Sequence, residues 1–100
     1  MVYITQFVFV KPGMEQTFHD FEDHVLPLLE RHRGRLLYRA RPQTGSIVHS
    51  EVGEPYEIHL VSFPSDEDFQ AYTNDDERRQ HVGLKNDSVQ KALLFRGTQA

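Results

Sequence analysis

Val2-Tyr3-Ile4-Thr5-Gln6-Phe7-Val8-Phe9-Val10 is the stretch on which the fold turns. It is rich in β-branched and aromatic residues and reads as a strand. Tyr3, Thr5, Phe7 and Phe9 point one way; Val2, Ile4, Gln6, Val8 and Val10 point the other. Both faces are mostly apolar, so both need a cover. No basic stretch precedes the run, no small-residue cleavage site follows it, and Gln6 interrupts it, which reads against a signal peptide.

Lys11-Pro12-Gly13 ends the strand, and a helical period follows. Met14, Phe18, Phe21, Val25 and Leu28/Leu29 recur at steps of three and four, while Glu15, Gln16, His19, Glu22, Asp23 and Glu30 lie off that stripe. Pro27 costs a backbone bond to Asp23 and predicts a kink or break near Asp23–Leu26. Gly34 is the expected stop. Leu36–Ala40 reads as a second strand, with Ile47-Val48-His49 as a possible extension. Tyr56–Phe63 is the third, with Tyr56, Ile58 and Leu60 on one face and Glu57 and His59 on the other. Ser65 is the expected cap of the next helix, and Asn74 that of a short further one beginning at Asp75-Asp76-Glu77. Val89 and Ala92–Phe95 form a last strand, closed by Gly97. The order is β-α-β-β-α-β, an α+β ferredoxin-like fold in one domain, residues 1–100.

Composition narrows the function classes. Apolar residues at 38% and charged residues at 26% suit a folded globular chain. A net charge of −4 disfavours nucleic acid and anionic membrane surfaces as partners. With no cysteine there is no disulfide framework, thiol nucleophile or zinc ribbon. No apolar run reaches the ~18 residues of a membrane span, so a cytoplasmic protein is expected.

Several punctuating motifs carry a resemblance. They are Lys11-Pro12-Gly13 after the first strand, and Leu26-Pro27-Leu28-Leu29 running into Arg33-Gly34-Arg35-Leu36-Leu37. Further along come Val61-Ser62-Phe63-Pro64-Ser65 with Phe69, Ala71-Tyr72 and Asp75, then Leu94-Phe95-Arg96-Gly97. Together they resemble the dimeric α/β-barrel superfamily, and within it a small uncharacterised family. The NIPSNAP and antibiotic-biosynthesis monooxygenase families are its relatives. The resemblance implies a four-stranded antiparallel sheet of order 4-1-3-2 with two main helices on one face. It also implies a homodimer whose sheets face each other, and a cavity in each subunit. Members include cofactor-free oxygenases, isomerases, haem-degrading enzymes and proteins with no known activity. The haem-degrading branch uses a tryptophan, and this chain has none.

The sequence offers no Ser-His-Asp elbow, phosphate-cradling glycine loop or His-Glu-x-x-His motif. His19, His24 and His32 read as surface residues, and neither a metal nor a cofactor is called for. His59, mid-strand, has two readings: a satisfied core or interface residue, or a proton-transferring group. Glu57 shares its face, but two strand positions span ~7 Å, which predicts no direct pairing. Arg31, Arg33, Arg35, Arg39 and Arg41 read as a solvated helix end and a guarded edge strand, or as an anion clamp built on Arg39 and Arg41. Tyr72 pairs with Phe69, and its hydroxyl could line a pocket. The candidate site is therefore His59 as the catalytic or ligand-orienting group, with Gln6, Tyr38, Arg39 and Tyr72 as ligand contacts. The expected function is a small-molecule-binding protein, a cofactor-independent oxygenase or isomerase of the dimeric-barrel type. The alternative is a non-catalytic homodimeric binding or regulatory module.

Overall fold

A computed structural model of the chain describes residues 1–98. Strand β1 (Val2–Val10) leads through the Lys11-Pro12-Gly13 turn into helix α1 (Glu15–Val25). A 3₁₀ helix (Leu26–His32) follows, then β2 (Arg35–Ala40) and β3 (Glu57–Phe63). Three short helices, α2 (Asp66–Thr73), α3 (Asp76–Gln80) and α4 (Val82–Ser88), precede β4 (Val89–Gly97). The sheet is antiparallel throughout, in the order β2-β3-β1-β4. This is the predicted βαββαβ order with the second helical region split into pieces.

Pro27 acts where its chemistry requires. It has no amide hydrogen for the carbonyl of Asp23, so α1 stops at Val25 and the chain tightens into the 3₁₀ turn. The stop at the far end differs from expectation. Arg33, not Gly34, takes the left-handed conformation, with φ 61°. Gly34 is required for space instead: a Cβ there would lie 2.6 Å from Phe63 Cε1 and 3.1 Å from Leu29 Cδ2. Phe63 is 1% exposed and cannot retreat. Gly34→Ala should therefore destabilise the fold by about 1–3 kcal/mol. Urea titration of the variant checks this, and an unchanged midpoint would refute it.

Two other local expectations need correction. Ile47-Val48-His49 extends no strand; it is irregular, and Val48 is exposed. Asn74 does not cap α3 but ends α2. Asp75 is the cap, accepting from the amides of Glu77 at 2.9 Å and Arg78 at 3.2 Å. It also binds His32 at 2.7 Å and Arg31 at 3.1 Å. A carboxylate satisfies all four donors, where an asparagine could accept through one oxygen only. Ser65 caps α2 as predicted, accepting from the Asp68 amide.

The strand register divides the side chains between two faces. Ile4, Gln6, Val8, Glu57, His59, Val61, Phe63 and Arg39 face the helices. There Phe18, Phe21, Val25, Leu28, Leu29 and Tyr72 complete a buried core. The opposite face carries Tyr3, Phe7, Tyr38, Ile58, Leu60 and Phe95. Phe7 and Phe95 meet edge to face with centroids 5.8 Å apart. Tyr38 and Phe95 remain 59% and 55% exposed, so this face is apolar and uncovered within one chain.

Candidate functional site

A cavity of about 190 Å³ lies between the sheet and the helices. Every layer contributes a polar group to its wall. Gln6 comes from β1, His59 from β3, Glu22 from α1, Tyr72 from α2, Arg78 from α3 and Lys85 from α4. Thr73 adds a hydroxyl, and the rest is apolar, with Ile4, Phe18, Phe21 and Leu29 prominent. Packing between helices and sheet thus sets polar groups in a largely apolar space.

The centre of the site is a triad of buried ionisable residues. Glu22 is 4% exposed, Glu57 0% and His59 4%. His59 Nε2–H donates to Glu57 Oε2. Side chains on one strand face can lean toward each other, and these close the ~7 Å backbone spacing that predicts no pairing. The same nitrogen lies 3.9 Å from Glu22 Oε2. Glu57 also takes Arg41 Nε at 2.8 Å and Arg39 Nε at 3.2 Å.

Two carboxyls so placed diverge in acidity. Burial alone would push the Glu57 carboxyl up, but hydrogen bonds from His59 and Arg41 and the charge of Arg39 outweigh it and hold it below its usual value. Glu22 has no such donor set. Burial pushes its carboxyl up to about 7, and the Glu57 charge adds to that against the opposing pull of His59, Arg39 and Arg78. One carboxylate is a fixed anion that holds the imidazole. The other is poised to take or give a proton at neutral pH.

Glu22, Glu57 and His59 also have the donor types of a metal site, with ligand atoms within 4.8 Å of one another. The Glu57 charge is already compensated by Arg39 and Arg41. A divalent ion would have to displace Arg39, Arg41 and the imidazole hydrogen from Glu57, with Arg78 and Lys85 on the same cavity wall. The arrangement suits proton chemistry better than metal binding.

The candidate residues of the sequence are brought together in part. His59, Gln6 and Tyr72 line the cavity. The Tyr72 hydroxyl donates to the Val25 carbonyl at 3.2 Å, and burial raises its pKa. Arg39 stands at the edge of the site, engaged by Glu57. Tyr38 lies on the other face of the sheet and does not reach the cavity. Arg41 shares Glu57 with Arg39, while Arg31 pairs with Asp75 and Glu77, and Arg33 with Asp68, on the solvated surface. His19 is half-buried and bonded to the Tyr56 hydroxyl, while His24 stacks on His81. Glu22, Arg78 and Lys85 are the site residues that sequence reasoning passed over.

No helix among the described residues is long and apolar enough to cross a membrane. No family model and no curated protein sequence matches the chain. Solved structures do match. A protein of unknown function from Rhodopseudomonas palustris superposes with a TM-score of 0.83 at 14% identity, over 99% of this chain and 82% of its own. A dimeric ferredoxin-like protein of unknown function from Jannaschia sp. CCS1 gives 0.72 at 13%, covering 98% of both chains. An uncharacterised NIPSNAP domain protein from Burkholderia xenovorans gives 0.70 at 9%, over 100% of this chain and 95% of its own. The chain thus has the α+β ferredoxin-like fold found in dimeric proteins of unknown function and in NIPSNAP-domain proteins.

Proposed function

We propose that this chain is a homodimeric small-molecule-binding protein that moves a proton to or from carbon, as a cofactor-independent isomerase or oxygenase of the dimeric-barrel type does. The observation that carries the reading is Glu22. It is a carboxyl buried in an apolar-walled cavity, with a pKa pushed to about 7, 3.9 Å from an imidazole that a second carboxylate holds in place. Isomerisation by proton shift begins by taking a proton from an activated carbon, and cofactor-free oxygenation by deprotonating the substrate at carbon or at a hydroxyl to give an electron-rich anion. A base with a pKa near ambient pH does this best. The cavity is smaller than the ~300–1,000 Å³ of drug-sized sites, so the ligand is small.

Deuterium exchange tests this without a known substrate. The protein is incubated in heavy water with 1,3-dicarbonyl and hydroxyaromatic compounds, and label uptake is read by mass spectrometry. At least one compound should exchange faster than in buffer, and Glu22→Gln should lower that rate by about 100-fold or more. If nothing exchanges above buffer, or Glu22→Gln changes nothing, proton transfer is refuted and a non-catalytic binding module remains.

The dimer rests on the uncovered face. Burying each large apolar side chain there stabilises by ~1.5–3 kcal/mol, and a second copy offers a matching surface. The Jannaschia neighbour is described as dimeric, which supports a dimer. Light scattering coupled to size exclusion should give twice the 11.7 kDa chain mass; a monomer mass refutes it.

A further inference from the structure

Arg78 is the cavity residue with an unmet requirement. Its Nε is buried with no hydrogen-bond partner, and a charged donor left so is costly. Its guanidinium carbon sits 5.1 Å from the Tyr72 ring centroid and 5.8 Å from that of Phe21. Those two rings, and the Asp75 cap at the start of its helix, fix where it stands. Lys85, on the next helix, lines the same cavity. Burial and the charge of Arg78 both lower its pKa. Neither side chain forms an ion pair with any of the described residues. Arg39 and Arg41, by contrast, are both engaged by Glu57.

The cavity therefore holds two cations committed to no protein anion. The Glu22 carboxyl on the same wall acts on both only through space: burial pushes it toward its neutral form, and it forms an ion pair with neither cation. We infer that Arg78 and Lys85 are the binding site for the carboxylate of a small organic acid whose apolar body packs against Phe18, Phe21 and Leu29. A planar guanidinium fork matches a planar carboxylate, and the apolar wall suits a hydrocarbon or aromatic body. This deepens the proton-transfer reading, on which it rests for placing the acid's activated carbon near Glu22. It replaces Arg39 with Arg78 as the anion contact.

The test is equilibrium binding, which needs no turnover. Thermal shift and calorimetry compare benzoate and phenylacetate with benzamide and phenylacetamide, which keep the shape and lack the charge. The carboxylates should raise the melting midpoint and the amides should not. Arg78→Met should weaken carboxylate binding by about tenfold or more, and Arg78→Lys should restore part of it. Lys85→Met provides the same measurement if Arg78→Met fails to fold. The inference is overturned if acids and amides bind alike, if no compound binds, or if the folded variants bind carboxylates as the native chain does. Inorganic phosphate binding as well as the carboxylates would overturn the assignment to an organic acid. Carboxylate binding without deuterium exchange would sink proton transfer alone. Exchange that Arg78→Met and Lys85→Met leave intact, without carboxylate binding, would sink this inference alone.

Discussion

Glu57→Gln is expected to destabilise the protein by about 3 kcal/mol at neutral pH. The substitution keeps the shape of the side chain, so no cavity opens. What it removes is the anion beneath Arg39, Arg41 and His59, at a site with no exposure at all. Removing one partner of a buried ion pair costs roughly 3–5 kcal/mol. The lower end applies, because the Arg39 and Arg41 side chains are 30% and 47% exposed and can turn to water. His59 cannot turn outward, and its Nε2–H loses a charged acceptor. The carboxyl of Glu57 is held below its usual value. Its contribution is therefore complete at neutral pH and goes as pH falls through the lowered value. Urea titrations of native and variant chains at pH 7 measure the effect. A difference under about 0.5 kcal/mol would mean that Glu57 is not the anchor of the site.

Much of the fold was legible because local chemistry and tertiary packing agree. The two-faced β1 run, the Pro27 break and the Ser65 cap each ask for one conformation and receive it. The exceptions are places where a neighbour distant in sequence decides. Gly34 looks like a helix stop, but the Phe63 ring explains it. Asp75 displaces Asn74 as a cap because His32 and Arg31 arrive from the 3₁₀ turn. The site was legible in its strand half: a histidine in the middle of an apolar strand is conspicuous. Its helical half was not. Glu22 reads as lying off the apolar stripe of α1, and the structure corrects this: it follows Phe18 by four positions, precedes Val25 by three, and is buried with them. Its charge argued for solvent, and for a carboxyl that stays ionised the argument would hold. Arg78 sits on a five-residue helix, too short for periodicity to show which way it points. Lys85 has no sequence signal beyond its place near the end of α4.

The protonation of Glu22 should be readable in stability. Its folded pKa, about 7, lies above the ordinary value of 4.5. Between those values the folded chain holds a proton that the unfolded chain releases, so this group's contribution falls as pH rises. The contribution is complete below pH 4.5 and is lost as pH passes through about 7, amounting to about 3 kcal/mol at 1.36 kcal/mol per pH unit. The groups that face it are His59 and Glu57 from β3, Arg39 from β2, and Arg78 and Lys85 from the last helices. Glu22→Gln keeps them all and removes the titration. The stability of native chain minus variant should therefore decline from pH 4.5 to 7 and level off above it, with the variant more stable than the native chain at pH 8. Urea midpoints at half-unit pH intervals give the curve. A difference that is flat over this range would mean that Glu22 is ionised throughout. Glu22 would then be an ordinary weak carboxylate base, without the near-neutral pKa on which the proposed proton transfer rests.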